Sequence, residues 1–255
     1  MARVGLIGGT GALQFAPLAA AAETCEIKSR YSDEPVLVTE WRWQEHEVFF
    51  LLRHGPDSLI PPHKVNYRAN IDAFRRLEVD WLVSMNAVGG ITTDGEAGLP
   101  GTLVIPDQIV DYTWGREHTY FDAEANELEH LEFTQPFSQP LRHMLLTAAA
   151  GRGVNVRSSG VYGVTQGPRL ETAAEVDKLE RDGCDIVGMT VMPEAALAAE
   201  AGLEYASLSG VVNHAAGRGG TAGEGGSIHD QIEAHVTACM AQSRAILEEL
   251  LAELG

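Results

Sequence analysis

Short apolar runs recur along the chain, and most of them stop at glycine or at a polar pair. Residues 3–7 run straight into Gly8-Gly9-Thr10-Gly11, and residues 47–52 into Arg53-His54-Gly55. Residues 81–87 are stopped by Gly89-Gly90, residues 160–166 by Gln166-Gly167-Pro168, and residues 185–190 close on Gly188-Met189-Thr190. Runs of this length between turn formers predict buried strands. Residues 102–110 and 204–212 predict two more. The intervening segments suit helices: 65–78, 138–150, 171–182, 193–201 and 228–253. In the last, Ile228, Ile232, Val236, Met240, Leu247 and Leu250 sit near i, i+4 spacing, which builds one apolar stripe. Strands alternating with helices restrict the chain to a layered α/β fold. In such folds ligands gather at the carboxyl ends of strands, where these glycines fall.

The chain has 255 residues, 45% hydrophobic and 21% charged, and one large domain spanning 1–255 is the expectation. A domain of this size buries about 70–75% of its unfolded surface and needs no staple. Eighteen basic and 36 acidic residues leave a net charge of −18. That excludes a basic face for nucleic acid or for an anionic membrane. Only Lys28, Lys64 and Lys178 are lysines, so a solvated acidic shell is expected rather than mixed ion-pair networks; a saline habitat is one reading of it. Cys25, Cys184 and Cys239 are far apart, which predicts reduced thiols in a cytoplasmic protein. The N-terminus turns glycine-rich too early for a signal peptide. No apolar run reaches the roughly 18 residues of a membrane span. The acidic stretch 113–135 has no period and predicts a long, functional surface loop.

Five strand ends carry groups suited to an anion or an organic ligand. Gly8-Gly9-Thr10-Gly11 brings backbone N–H groups close and adds a hydroxyl, although a tight turn explains it equally. Arg53-His54 offers an arginine fork, or a surface arginine beside a capping histidine. Asn86-Ala87-Val88-Gly89-Gly90 ends a strand with free donors. Gly188-Met189-Thr190 precedes Pro193-Glu194, which open a helix, and threonine at a helix start suits an anion. Val212-Asn213-His214 follows the last strand, where an amide usually satisfies a loop. The nine histidines form no HExxH or other close ligand spacing, and no GxSxG elbow is present. Metal-assisted and covalent nucleophilic catalysis are therefore disfavoured.

Together these motifs, with Pro62-His63-Lys64-Val65-Asn66-Tyr67-Arg68-Ala69-Asn70, Gln166-Gly167-Pro168-Arg169 and Met192-Pro193-Glu194, resemble the trimeric purine nucleoside phosphorylase and methylthioadenosine phosphorylase family. The resemblance covers essentially the whole chain. It implies a three-layer α/β nucleoside phosphorylase fold, with a central mixed β-sheet flanked by helices. It also implies a cytoplasmic, metal-free enzyme without cofactor, for which inorganic phosphate is a co-substrate. The expected assembly is a homotrimer that shares active sites and that can pair into a dimer of trimers. The implied phosphate site is Thr10, Arg53, His54, Asn86, Ala87 (backbone) and Thr190. Asn86 stands where relatives often have a hydroxyl. Met189 is expected under the ribose, and His130 is expected to be lent to the 5′ end by a neighbouring subunit. Asn213 and His54 are the catalytic candidates, with Leu170, Glu171, Ala215 and Ile228 completing the substrate site.

Methylthioadenosine phosphorylases resemble one another in a Thr-Asp-x-Asp segment, where an aspartate accepts from the 6-amino group. Here the stretch reads Val212-Asn213-His214-Ala215. An asparagine donates to a 6-oxo group and to N7, and Glu171 accepts N1–H, so a 6-oxopurine is the expectation. A first-turn helix acid is the alternative for Glu171. Ile228 at the 5′ end suits a methylthio group, with His229 beside it. The implied reaction is phosphorolysis of S-methyl-5′-thioinosine to hypoxanthine and 5-methylthioribose 1-phosphate. A broad inosine/guanosine phosphorylase, a methylthioadenosine phosphorylase and a non-catalytic purine-binding protein are the alternatives.

Overall fold

The computed structural model describes residues 1–9, 11–12, 22–92, 98–121, 130–219 and 228–254, without the side chains of 228–231. Among them run eleven strands and five helices. In chain order the first part is β1 (Arg3–Gly8), β2 (Glu23–Ile27), β3 (Val36–Trp43), β4 (His46–Leu52), α1 (Tyr67–Arg76), β5 (Trp81–Gly90), β6 (Leu103–Val104), β7 (Gln108–Asp111) and α2 (Gln139–Gly151). Then come β8 (Val156–Arg157), β9 (Val161–Val164), α3 (Ala173–Arg181), β10 (Ile186–Gly188), α4 (Val191–Glu200), β11 (Glu204–His214) and α5 (Ile228–Glu253).

The strands join in one mixed sheet. Its main path is β2-β3-β4-β1-β5-β10-β9-β7, and β11 pairs with β5 and β6. Two apolar layers cover its faces, so the three-layer expectation holds. Ile71 and Phe74 of α1 and Val191 and Leu197 of α4 pack on one face. Leu141 and Leu145 of α2 and Met240 and Leu247 of α5 pack on the other. Each such side chain, fully buried, contributes about 1.5–3 kcal/mol. Consecutive residues of β1 point to alternate faces: Val4 and Leu6 join the α2/α5 layer, and Ile7 the α1/α4 layer.

Three details differ from the sequence reading. The antiparallel pair β2–β3 was not expected: β2 is mostly polar, and in β3 the short run Val36-Leu37-Val38 gives way to Thr39, Glu40 and Arg42 among two tryptophans. β2 is mostly exposed, and its glutamates suit a sheet edge. The single strand expected over 102–110 is two short strands, β6 and β7, separated by Ile105-Pro106-Asp107. Proline has no N–H to give a ladder. Arginines also make the mixed ion pairs that the scarcity of lysine argued against. Arg218 reaches Asp177 and Glu180 (2.8 and 2.7 Å), and Arg152 reaches Glu249 (2.7 Å). The three thiols are free. Among the described residues no helix is long and apolar enough to cross a membrane.

Candidate active site

β11 pairs with β5 from Trp81 to Gly90, which fills one edge of β5. β1 and β10 must therefore share the other edge, and they run toward each other. β1 is parallel to β5 and pairs as far as Gly8 opposite Met85. β10 is antiparallel and pairs through Val187 opposite Gly89. Their carboxyl ends face each other across Asn86-Ala87-Val88. This junction gathers the strand-end motifs into one place. Ala87 at its centre is half-buried, and the backbone N–H of Arg53 donates to the Gly8 carbonyl (2.9 Å).

Arg53 is 2% exposed and Glu194 is fully buried. Nε of Arg53 donates to Oε1 of Glu194, and Nη2 to Oε2 at 3.0 Å. Burial opposes the charge on Arg53, but Glu194 outweighs it and raises the guanidinium above its ordinary value. Nη1 is left toward Gly9, where a Cβ would lie 2.7 Å from it. That close approach is why glycine is required there. The Gly9 N–H is itself taken by the Met85 carbonyl (3.1 Å). Thr10 lies outside the described residues.

A chain of hydrogen bonds leads from Glu194 to the far side of the junction, and its direction is set at the carboxylate. Tyr205 donates to Glu194 Oε2 (3.0 Å), so its oxygen accepts from Ser84 Oγ (2.7 Å). Ser84 then accepts from Nδ2 of Asn86 (3.0 Å), whose other hydrogen goes to Ser207 Oγ (2.7 Å). The Oδ1 of Asn86 thereby faces Thr190, whose hydroxyl donates to it (3.0 Å). Asn86 has no spare amide hydrogen for an anion. Thr190 is the N-cap of α4, yet its side chain bonds Asn86 and caps nothing. A fully satisfied buried network of this kind rigidifies what it holds. Ser84, Asn86, Tyr205 and Ser207 all lie on one face, at period two in β5 and β11. Polar residues at that spacing in otherwise apolar strands were the signal for this network, and sequence reasoning passed over it. Glu194 was noted there as a helix opener and within the motif Met192-Pro193-Glu194, with no partner assigned to it.

His54 is half-buried, and its Nδ1 pairs with the Ile60 carbonyl (2.7 Å). Burial and the neighbouring Arg53 charge lower its pKa. The neutral ring donates from Nδ1 and leaves Nε2 as an acceptor.

The second wall comes from β9 and the start of α3. Thr165 N–H donates to the Gly188 carbonyl (2.8 Å), and Thr165 Oγ1 donates to Glu171 Oε1 (2.6 Å). Glu171 is not in the first turn of α3: Thr172 is the N-cap, and Glu175 closes a capping box with it. The first-turn explanation for Glu171 therefore does not apply. Gly167 has φ +62°, and a Cβ there would collide with the Met189 sulfur. A cleft of about 380 Å³ opens along this wall, lined in part by Thr165, Gln166, Gly167 and Glu171. Asn213 follows a bulge in β11 and stands opposite Gly89; its Nδ2 donates to the His214 carbonyl (2.7 Å), which leaves one amide hydrogen. Ala215 is 3% exposed and packs with Ile91 and Val187, whereas Leu170 is 61% exposed. His130 is exposed. Ile228 opens α5, and its side chain and that of His229 lie outside the description.

The family model of the phosphorylase superfamily matches residues 3–252. A probable S-methyl-5′-thioinosine phosphorylase of Xanthomonas campestris is 46% identical over 214 residues, 84% of each chain. One from Xylella fastidiosa is 48% identical over 214 residues, 84% of this chain and 85% of the relative. A 6-oxopurine nucleoside phosphorylase of Pyrococcus furiosus is 40% identical over 225 residues, 86% of this chain and 82% of the relative. Methylthioadenosine phosphorylase from Schistosoma mansoni, solved with adenine, superposes with a TM-score of 0.89 at 30% identity, covering 100% of this chain and 92% of that one. The chain belongs to the phosphorylase superfamily and is an enzyme of the purine nucleoside phosphorylase type.

Proposed function

We propose that this single-domain enzyme splits S-methyl-5′-thioinosine with inorganic phosphate, giving hypoxanthine and 5-methylthioribose 1-phosphate for purine salvage. The observation that carries the reading is the junction of β1 and β10. It brings the strand ends that carry Thr190 and the Ala87 backbone beside Gly8 and Gly9, toward which Arg53 Nη1 is left, and this supports a phosphate site there with Glu171 and Asn213 on the nucleoside side. The relatives' names support the substrate class. A phosphate oxygen forms the bond to C1′ as the C1′–N9 bond breaks, and the bonding pair leaves with the purine. The sugar passes through an oxocarbenium-like state, for which phosphate is both nucleophile and counter-ion. Positioning and electrostatics supply most of such a rate.

In this reading Arg53, Thr10 and the Thr190 backbone N–H donate to phosphate, His54 Nε2 accepts from its P–OH, and Asn86 acts by holding the Thr190 side chain. Met189 underlies the ribose. Glu171 accepts N1–H, and the remaining amide hydrogen of Asn213 donates to O6 or N7 as charge develops. Ala215 and Leu170 border the base, and Ile228 meets the methylthio end, with His130 supplied across a homotrimer interface. No cofactor is needed. The charge of −18 leaves nucleic acid and membranes out of the scheme, and the reading places the enzyme in the cytoplasm.

Initial rates with S-methyl-5′-thioinosine, inosine and methylthioadenosine, each with and without phosphate, test this. Phosphate-dependent turnover led by S-methyl-5′-thioinosine is expected. Inosine leading would retain the base site and remove the 5′ assignment, and turnover without phosphate would overturn the phosphorylase reading. Asn213→Asp should shift preference toward 6-aminopurines by up to about a hundredfold, since a mismatched buried donor costs about 1–3 kcal/mol. A variant with unchanged preference would show the base assignment to be wrong.

A further inference from the structure

Arg116, in the loop after β7, spends its guanidinium on the two strand ends that wall the site. Nη1 donates to the carbonyls of Met189 (2.8 Å) and Met192 (2.7 Å). Nη2 donates to the carbonyl of Gln166 (2.8 Å) and, at longer range, to that of Thr165 (3.4 Å). Nε donates to Oε1 of Gln166 (3.2 Å). The Tyr67 hydroxyl lies 3.3 Å from Nη1, and the guanidinium sits 5.4 Å from the centre of the Tyr67 ring. A guanidinium has five N–H hydrogens, and these acceptors use them all. None is left for a bound anion, so Arg116 is not a further phosphate ligand.

The arrangement serves another purpose. Four carbonyls, from the end of β9, from the turn after β10 and from Met192 at the kinked start of α4, converge their negative ends on one place. Without a cation between them they would repel, and the chain beyond the last ladder pair, Val164 opposite Gly188, would splay apart. We propose that Arg116 is a positioning residue for phosphorolysis. It sets the distance between the β9 end, from which Thr165 holds Glu171, and the Met189–Thr190 turn. It thereby sets the width of the nucleoside site. The proposal rests on the phosphorylase reading above.

A directional consequence follows. Thr190 has a second anchor in Asn86, so the phosphate side keeps its shape when Arg116 is lost. The β9–β10 ladder runs to Val164 opposite Gly188, and Thr165 adds its N–H to the Gly188 carbonyl; beyond that point, among the described hydrogen bonds, those of Arg116 join Gln166 to Met189 and Met192. Loss of Arg116 therefore falls on the nucleoside more than on phosphate. Lysine carries the charge but only three N–H hydrogens on one nitrogen, so it bridges part of the span.

The test uses full-length Arg116→Ala and Arg116→Lys, checked by circular dichroism and thermal unfolding. The assay nucleoside is the one the wild type turns over fastest, with nucleoside and phosphate varied separately. Arg116→Ala is expected to lose about a hundredfold in kcat/KM for the nucleoside, the scale of a 1 Å misplacement, and Arg116→Lys about tenfold. KM for phosphate should change no more than about threefold, the direction set by its separate anchor. Millimolar guanidinium should restore part of the Arg116→Ala rate. An Arg116→Lys enzyme with wild-type kcat/KM for the nucleoside would overturn the proposal, and so would equal losses for both substrates that track thermal stability. Where Arg116→Ala does not fold, Arg116→Lys decides. A wild type without phosphate-dependent turnover would overturn the phosphorylase reading and this proposal together, whereas an active wild type with an unaffected Arg116→Lys overturns the proposal alone.

Discussion

Arg53 and Glu194 form a buried charge pair, and breaking such a pair costs more than its presence gains. Glu194→Ala strands a guanidinium in a dry site, so a loss of about 3–5 kcal/mol is expected in urea unfolding. The released Arg53 no longer aims Nη1 past Gly9, and KM for phosphate should rise about tenfold, the scale of one lost hydrogen bond to a charge. His54 gives a pH signature. Burial and Arg53 disfavour its cation, so the folded ring binds its proton less tightly than the unfolded one. Its contribution to stability is present above the ordinary imidazole value of 6.5 and is lost as pH falls through the lower, folded value. The His54 Cε1–H resonance should titrate below 6.5 in NMR. A midpoint at or above it would contradict the assigned burial. Arg53 and Thr190 were legible in the sequence because they flank glycines at strand ends. Glu194 and Tyr205 were not, because Arg53 and Ser84, which they meet, lie 141 and 121 residues away in the chain.

At the scale of elements, α3 shows how a cap fixes the position of Glu171, the proposed partner of the base. The Thr172 hydroxyl accepts from the Glu175 N–H (3.2 Å), and Glu175 accepts from the Thr172 N–H (2.7 Å). This places Glu171 just outside the helix, facing Thr165. Thr172→Ala should cost about 1 kcal/mol and lower kcat/KM for a 6-oxopurine nucleoside more than for a 6-aminopurine one. Equal effects on both would detach Glu171 from base recognition. The S/T-x-x-E signature was visible in the sequence at Thr172, and a helix start two residues earlier was expected instead. The apolar period does not mark which side of the cap a carboxylate falls on.

The whole molecule carries a charge of −18, and most ion pairs among the described residues use arginines at the surface, as in Arg152–Glu249 and Arg169–Glu175. Self-repulsion of that size weakens the compact state, and salt screens it over about 10 Å at 0.1 M. Raising NaCl from about 0.05 to 1 M, a range over which the screening length falls to about 3 Å, should therefore raise Tm. A falling Tm would mean that the arginine pairs outweigh the repulsion. Sedimentation equilibrium should give three times 27.4 kDa, or six times for paired trimers. A monomer would remove His130 from the site.

The amino-acid sequence by itself determined the layered α/β class, the order of most elements and the strand ends that carry the candidate site residues. Those depend on local periodicity and on glycine, and both act over a few residues. It did not reveal β2 and β3, whose mixed polarity gives no period until a partner strand covers them. Tertiary structure alone decided that β1 and β10 meet carboxyl end to carboxyl end over Asn86-Ala87, because strand order is set by long-range packing. It also decided that Glu194 polarises a hydrogen-bond chain as far as Thr190. And it turned Arg116 from one charge in an acidic loop into the tie between two walls, since a carbonyl cluster exists only once the strands that bear it have been brought together.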